Sequence, residues 1–127
     1  MKIIGIDPGL IQTGFGIINV SNNQTTLIDY GIIKPQAKDT LANRLLTIFN
    51  DVCEIISNYN PQIFAIEEVF YGKNVKSAMR LGQARGASMV AAASKNIPIY
   101  EYSARKVKQS ITGNGNAYKT QVQFMVK

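Results

Sequence analysis

Met1-Lys2-Ile3-Ile4-Gly5-Ile6-Asp7-Pro8-Gly9-Leu10-Ile11-Gln12-Thr13-Gly14-Phe15-Gly16-Ile17-Ile18 opens the chain and decides how the rest is read. Residues 2–6 form a short apolar run of strand character that ends on Asp7. Pro8 and Gly9 then supply turn chemistry, and a second strand pattern starts at Thr13. An aspartate at the carboxyl end of a buried strand, beside a turn whose amides point outward, can hold a divalent cation or receive phosphate oxygens. Asp-Pro-Gly is also an ordinary hairpin turn, so these residues alone leave both readings open.

Working outward, residues 13–20 and 25–33 read as the second and third strands of an antiparallel meander, joined by the polar turn Ser21-Asn22-Asn23-Gln24. Over residues 39–59, Leu41, Leu45, Ile48, Phe49, Val52, Ile55 and Ile56 recur at helical spacing, the mark of one face packed on a sheet. Asn60-Pro61 ends that helix. Residues 63–69 form a short apolar strand carrying Glu67 and Glu68, and a helix spans residues 74–95. A brief strand at 97–102 follows, then a helical turn or two from Ser103, a loop at Gly113-Asn114-Gly115 and a helix near Ala117. The order βββαβαβα predicts an α/β fold. Its mixed sheet has three antiparallel strands followed by parallel ones, with helices against it and ligands where parallel strands end.

With 127 residues, 46% of them hydrophobic, the chain suits one domain over residues 1–127. No apolar run approaches the roughly 18 residues that span a bilayer, and Met1-Lys2 leads into a strand rather than a signal peptide, which predicts a cytoplasmic protein with no membrane partner. The single cysteine, Cys53, excludes an internal disulfide or a cysteine cluster for zinc, and its amphipathic surroundings suit a core position. Fourteen Lys and Arg against eight Asp and Glu give a net charge of +6, and no carboxylate follows Glu101. That balance favours a polyanionic partner such as nucleic acid, although a solvated basic surface has the same composition. The absence of histidine removes imidazole from catalysis and metal binding, leaving carboxylates, lysines and hydroxyls.

Glu67 ends its strand as Asp7 ends the first. If a right-handed crossover sets these strands side by side, both carboxylates meet at one edge of the sheet and suit magnesium, which takes oxygen ligands and needs few protein carboxylates. Glu68 points to the opposite face while the strand persists.

Several motifs in order resemble the RuvC family of bacterial Holliday-junction resolvases, in the ribonuclease H-like superfamily. They are Gly5-Ile6-Asp7-Pro8-Gly9 with Thr13-Gly14, Ala65-Ile66-Glu67-Glu68-Val69-Phe70 leading to Lys73-Asn74, Leu81-Gly82-Gln83-Ala84-Arg85-Gly86, and Tyr102 with Val107-Lys108-Gln109. The resemblance runs through the whole chain. It implies an endonuclease of recombination and repair, a homodimer that nicks two strands of a four-way DNA junction symmetrically. It also implies magnesium as cofactor, with manganese able to substitute, and partnership with a RuvA–RuvB branch-migration complex.

Carried over by position, Asp7 and Glu67 match the first two metal-binding acids. Phe70 matches an aromatic inserted among junction bases, and Lys108 and Lys119 match lysines at the scissile phosphate and its flanks. Phe70 and the adjoining Tyr71 suit base stacking, and the lysines suit phosphate contacts. The family's remaining acids lie on a final helix past the position of Lys127, so the resemblance leads us to expect a C-terminally incomplete domain. It leaves open a junction-binding module that does not cut. An ATPase lobe of the actin and sugar-kinase type also opens with a Gly-Ile-Asp-x-Gly strand, but it needs a second lobe that does not fit here.

In the helix over 74–95, Ala78, Gly82, Gly86 and Val90 recur four apart and form a smooth row. Its partner is either the domain's own sheet or the same helix of a second subunit, and the resemblance implies the latter. Lys73, Lys76, Arg80 and Arg85 would then add positive charge near the junction.

Overall fold

The computed structural model describes residues 1–68 and 74–102. Strands β1 (Lys2–Asp7), β2 (Thr13–Ser21) and β3 (Gln24–Ile33) form the antiparallel meander, followed by α1 (Leu41–Tyr59), β4 (Ile63–Glu67), α2 (Val75–Ser94) and β5 (Ile99–Tyr102). The five strands stand in the order β3-β2-β1-β4-β5, with β4 parallel to β1 and β5 parallel to β4. This is the expected α/β arrangement. The helical segment from Ser103 and the helix near Ala117 lie outside the described residues.

Local chemistry explains the boundaries. Asn22 and Asn23, between β2 and β3, both adopt left-handed backbone, the conformation that a two-residue hairpin turn demands and that asparagine tolerates. Thr40 caps α1 by accepting a hydrogen bond from the Asn43 N–H, and Asn60 ends the helix in left-handed conformation just before Pro61. Asn74 caps α2 in the same way through the Ser77 N–H. β5 begins at Ile99 rather than at residue 97 because the Ile97 N–H bonds to the Ala92 carbonyl at the end of α2 and Pro98 has no N–H to give.

Both helices cover one face of the sheet. Ile48, Val52 and Ile56 of α1 pack with Ile4, Ile6, Ile17, Phe64 and Ile66 from the strands, and α2 adds Ala84, Ala91 and Ala92. Burying each of these isoleucines stabilises the fold by roughly 1.5–3 kcal/mol before entropy is counted. Cys53 is half-buried where the helices meet, its Sγ 3.7 Å from the Ser94 hydroxyl. Because strand side chains alternate, the residues between those core positions, Gly5 and Asp7 on β1 and Ala65 and Glu67 on β4, belong to the opposite face.

Candidate active site

Ile6 stands opposite Ile66 in the parallel β1–β4 ladder, so the next step along both strands sets Asp7 beside Glu67. Neither acid is near the other in sequence. The α1 crossover makes their strands neighbours. Burial raises the Asp7 carboxyl above the ordinary range. Burial also raises Glu67, with the negative charge of Asp7 adding to it. Two anionic groups held together in a partly dry place await a positive charge, and oxygen-only ligation is the preference of a hard cation. The residues therefore fit a hard divalent cation. Among the described residues no group of three or more His, Cys, Asp or Glu could hold a metal, so these two carboxylates are what this part of the chain offers such an ion.

The loop after Asp7 is tied down from within. Thr13, fully buried, donates from Oγ1 to the Gly9 carbonyl at 2.7 Å and accepts from the Gly9 N–H at 3.2 Å. A Cβ on Gly9 would lie 2.3 Å from the Gln12 carbonyl oxygen, so the tight turn admits no side chain there. Arg44, on the first turn of α1, donates to the Leu10 carbonyl at 3.2 Å. The turn's amides were expected to point outward, but that of Gly9 is spent on Thr13. Holding Asp7 in place is what the residues from Gly9 to Thr13 do. Thr13 and Arg44 had drawn no separate role from the sequence, and Arg44 carries no signal short of the fold.

Arg85 reaches the strand ends from α2. Its Nε donates to the Glu67 backbone carbonyl at 3.2 Å, and its Nη2 pairs with the Glu101 carboxylate. Expected to add positive charge near the junction, Arg85 also braces β4 against β5 next to the acid pair. Lys76 and Arg80 are exposed on the first turns of α2. Arg80 lines, with Gly9, Gln12, Arg44 and Ser77, a groove of about 500 Å³ that begins at the loop after Asp7. Phe70, Tyr71, Lys73, Lys108 and Lys119 lie outside the described residues.

Sequence reading also gave no role to Tyr102, which pairs with Glu67 in the β4–β5 ladder. Its hydroxyl oxygen is buried and has no hydrogen-bond partner among the described residues. Burial, and then the charges of Glu67 and Asp7, hold the phenol's pKa well above its usual value, so it stays protonated.

The row of small residues on α2 does not face the sheet throughout. Ala78 is buried, but a Cβ built on Gly82 or Gly86 meets nothing within 4 Å, and Val90 is 58% exposed. Four residues turn an α-helix through about 400°, so a row of that spacing drifts by roughly 40° per step and leaves the core. Val75 and Met79 are exposed on the same helix. No helix among the described residues is long and apolar enough to cross a membrane.

A five-stranded mixed sheet covered by helices, with acids ending two adjacent parallel strands, defines a nuclease domain of the ribonuclease H-like class. The family model described as crossover junction endodeoxyribonuclease RuvC matches residues 3–127, and the chain belongs to that family. The RuvC of Saccharophagus degradans is 50% identical over 125 residues, which are 98% of this chain and 72% of that protein. The RuvC of Pseudoalteromonas atlantica is 52% identical over 124 residues, 98% of this chain and 71% of that protein. Among solved structures, T. thermophilus RuvC in complex with a Holliday junction substrate superimposes with a TM-score of 0.82 at 26% identity, covering 98% of this chain and 78% of that one. The yeast mitochondrial Holliday junction resolvase Ydc2 has a TM-score of 0.66 at 12% identity, covers 98% of this chain and 62% of that one, and shares the fold. Membership in the RuvC family displaces the ATPase-lobe reading.

Proposed function

We propose that this chain nicks four-way DNA junctions at a magnesium site to which Asp7 and Glu67 contribute the ligands from the strand ends. The observation that carries the proposal is the parallel register of β1 and β4, which makes neighbours of two acids sixty residues apart in the chain. A bound cation supplies Lewis-acid polarisation of the phosphodiester. The chain's own part is to present carboxylate oxygens from backbone that Thr13, Gly9 and Arg85 keep from shifting. Manganese, also an oxygen-seeking cation, would replace magnesium.

Lys76 and Arg80 contact the DNA backbone in this proposal, Arg80 from the groove beside Gly9. Phe70, Tyr71, Lys73, Lys108 and Lys119 take the base-stacking and phosphate roles that the resemblance gives them. The homodimer forms through the outward part of α2, where Gly82 and Gly86 allow close approach and Met79 and Val90 offer apolar area. The protein works in the cytoplasm, and a RuvA–RuvB complex would deliver the junction.

A synthetic four-way junction with magnesium tests this. Asp7→Asn and Glu67→Gln should each lower paired nicking by about a hundredfold or more while junction binding stays within a few-fold of wild type. Cleavage unchanged in either variant would remove the assignment. A wild-type chain that shifts the junction but leaves it uncut would instead make it a binding module.

A further inference from the structure

The carboxylate pair has a third neighbour. Parallel pairing sets Tyr102 beside Glu67, two strands beyond Asp7, so the three side chains belong to one face at one end of three adjacent strands. The Tyr102 hydroxyl is buried yet bonds to nothing among the described residues, although buried hydroxyls almost always find a partner. Its surroundings explain what kind of partner it lacks. The carboxylates of Glu67 and Asp7 follow it along the sheet, and a phenol hydroxyl can donate to an anionic oxygen. On the sheet's other face, Arg85 is occupied by Glu101 and the Glu67 backbone, so it gives nothing to the Glu67 carboxylate.

We infer that Tyr102 is a positioning residue: its hydroxyl donates a hydrogen bond to the Glu67 carboxylate when that group turns to hold a cation, fixing the carboxylate's rotamer from the side away from Asp7. The inference rests on the proposed role of Asp7 and Glu67. Among the described residues the donor is unspent, and ligand binding supplies the geometry that satisfies it. Hydrogen-bond partners of ligating groups of this kind change metal affinity by roughly ten- to a hundredfold.

Tyr102→Phe removes the hydroxyl and keeps the ring. Three measurements on the full chain decide the matter: thermal unfolding without divalent ions, Mn²⁺ binding followed by electron paramagnetic resonance, and the magnesium dependence of junction nicking. The inference expects an unfolding midpoint no lower than wild type, because the lost group has no partner among the described residues. It also expects about tenfold weaker Mn²⁺ binding and a matching rise in the magnesium needed for half-maximal nicking, with junction affinity unchanged. Wild-type Mn²⁺ binding in Tyr102→Phe overturns it, as does a lowered midpoint with unchanged metal dependence, which would assign the hydroxyl a purely structural bond. Tyr102→Leu serves as a second variant: metal binding that falls only when the ring is lost also counts against the inference. If Asp7→Asn and Glu67→Gln leave Mn²⁺ binding intact, the site assignment fails first. If they abolish it and Tyr102→Phe does not, the role of Tyr102 alone fails.

Discussion

The two helices lie on the same sheet and solve different problems. α1 presents a branched aliphatic stripe, with Ile48 and Val52 fully buried and Ile56 nearly so. α2 enters the same core with Ala84, Ala91 and Ala92. Small inward residues let α2 lie close against α1 and β4, and its exposed apolar side chains, Val75, Met79 and Val90, point away. α1 exposes Leu41 and Leu46 as well, so the difference lies in what each helix sends inward: branched aliphatic side chains from α1, alanines from α2. Interior glycines cost a helix roughly 1 kcal/mol each relative to alanine, and the proposed dimer contact would offset that cost on α2.

Substitutions test that contrast. The largest effect should come from Ile48→Ala on α1, which removes a fully buried side chain at the centre of the core and should destabilise the domain by about 3 kcal/mol in urea unfolding. A loss under about 1 kcal/mol would mean that α1 is not the main anchor. On α2, Gly86→Ala should work in the opposite direction. The added methyl meets nothing within 4 Å, so the isolated domain should gain roughly 0.5–1 kcal/mol. If a second copy packs on this face, sedimentation should show weaker self-association in the same variant. Stabilisation with no change in association would sink the idea of a helix kept smooth for a partner.

The smallest effect concerns the site that both helices support. The folded-state pKa values of Asp7 and Glu67 lie above their ordinary values of 3.8 and 4.5. A raised folded pKa means a contribution fully present below the unfolded pKa and lost as pH rises through the folded one. Without divalent ions, the contribution of these two carboxyls should therefore decline as pH climbs from about 4 toward neutrality. Asp7→Asn should be the more stable protein at pH 7, by a few tenths of a kcal/mol given solvent screening, and equal to wild type near pH 3. Thermal melts across that range check the sign, and an Asp7→Asn protein less stable than wild type at pH 7 would contradict it.

Much of this was legible from residues alone. The period of Ile48, Val52 and Ile56 marks α1, Asn60-Pro61 marks its end, and Asn74 marks the start of α2, because caps and amphipathic stripes act within a turn or two of chain. The ends of β1 and β4 could be read as carrying acids. The four-apart row on α2 misled in part, since its register drifts and Ala78 turns inward while Gly86 turns outward. The engagement of Arg85 with Glu101 could not be anticipated, because it depends on how far α2 slides along β5. The same holds for Tyr102, whose position follows from a parallel pairing that no local pattern encodes.

By itself, then, the order of residues determined the elements, the turn at Pro8-Gly9 and the kind of chemistry open to a chain without histidine. Only the tertiary structure decided that Asp7, Glu67 and Tyr102 share one end of one sheet and that Arg85 braces it from behind. The reason is range. Backbone preference and side-chain periodicity are settled among near neighbours, whereas strand order is settled by which distant apolar faces bury each other best.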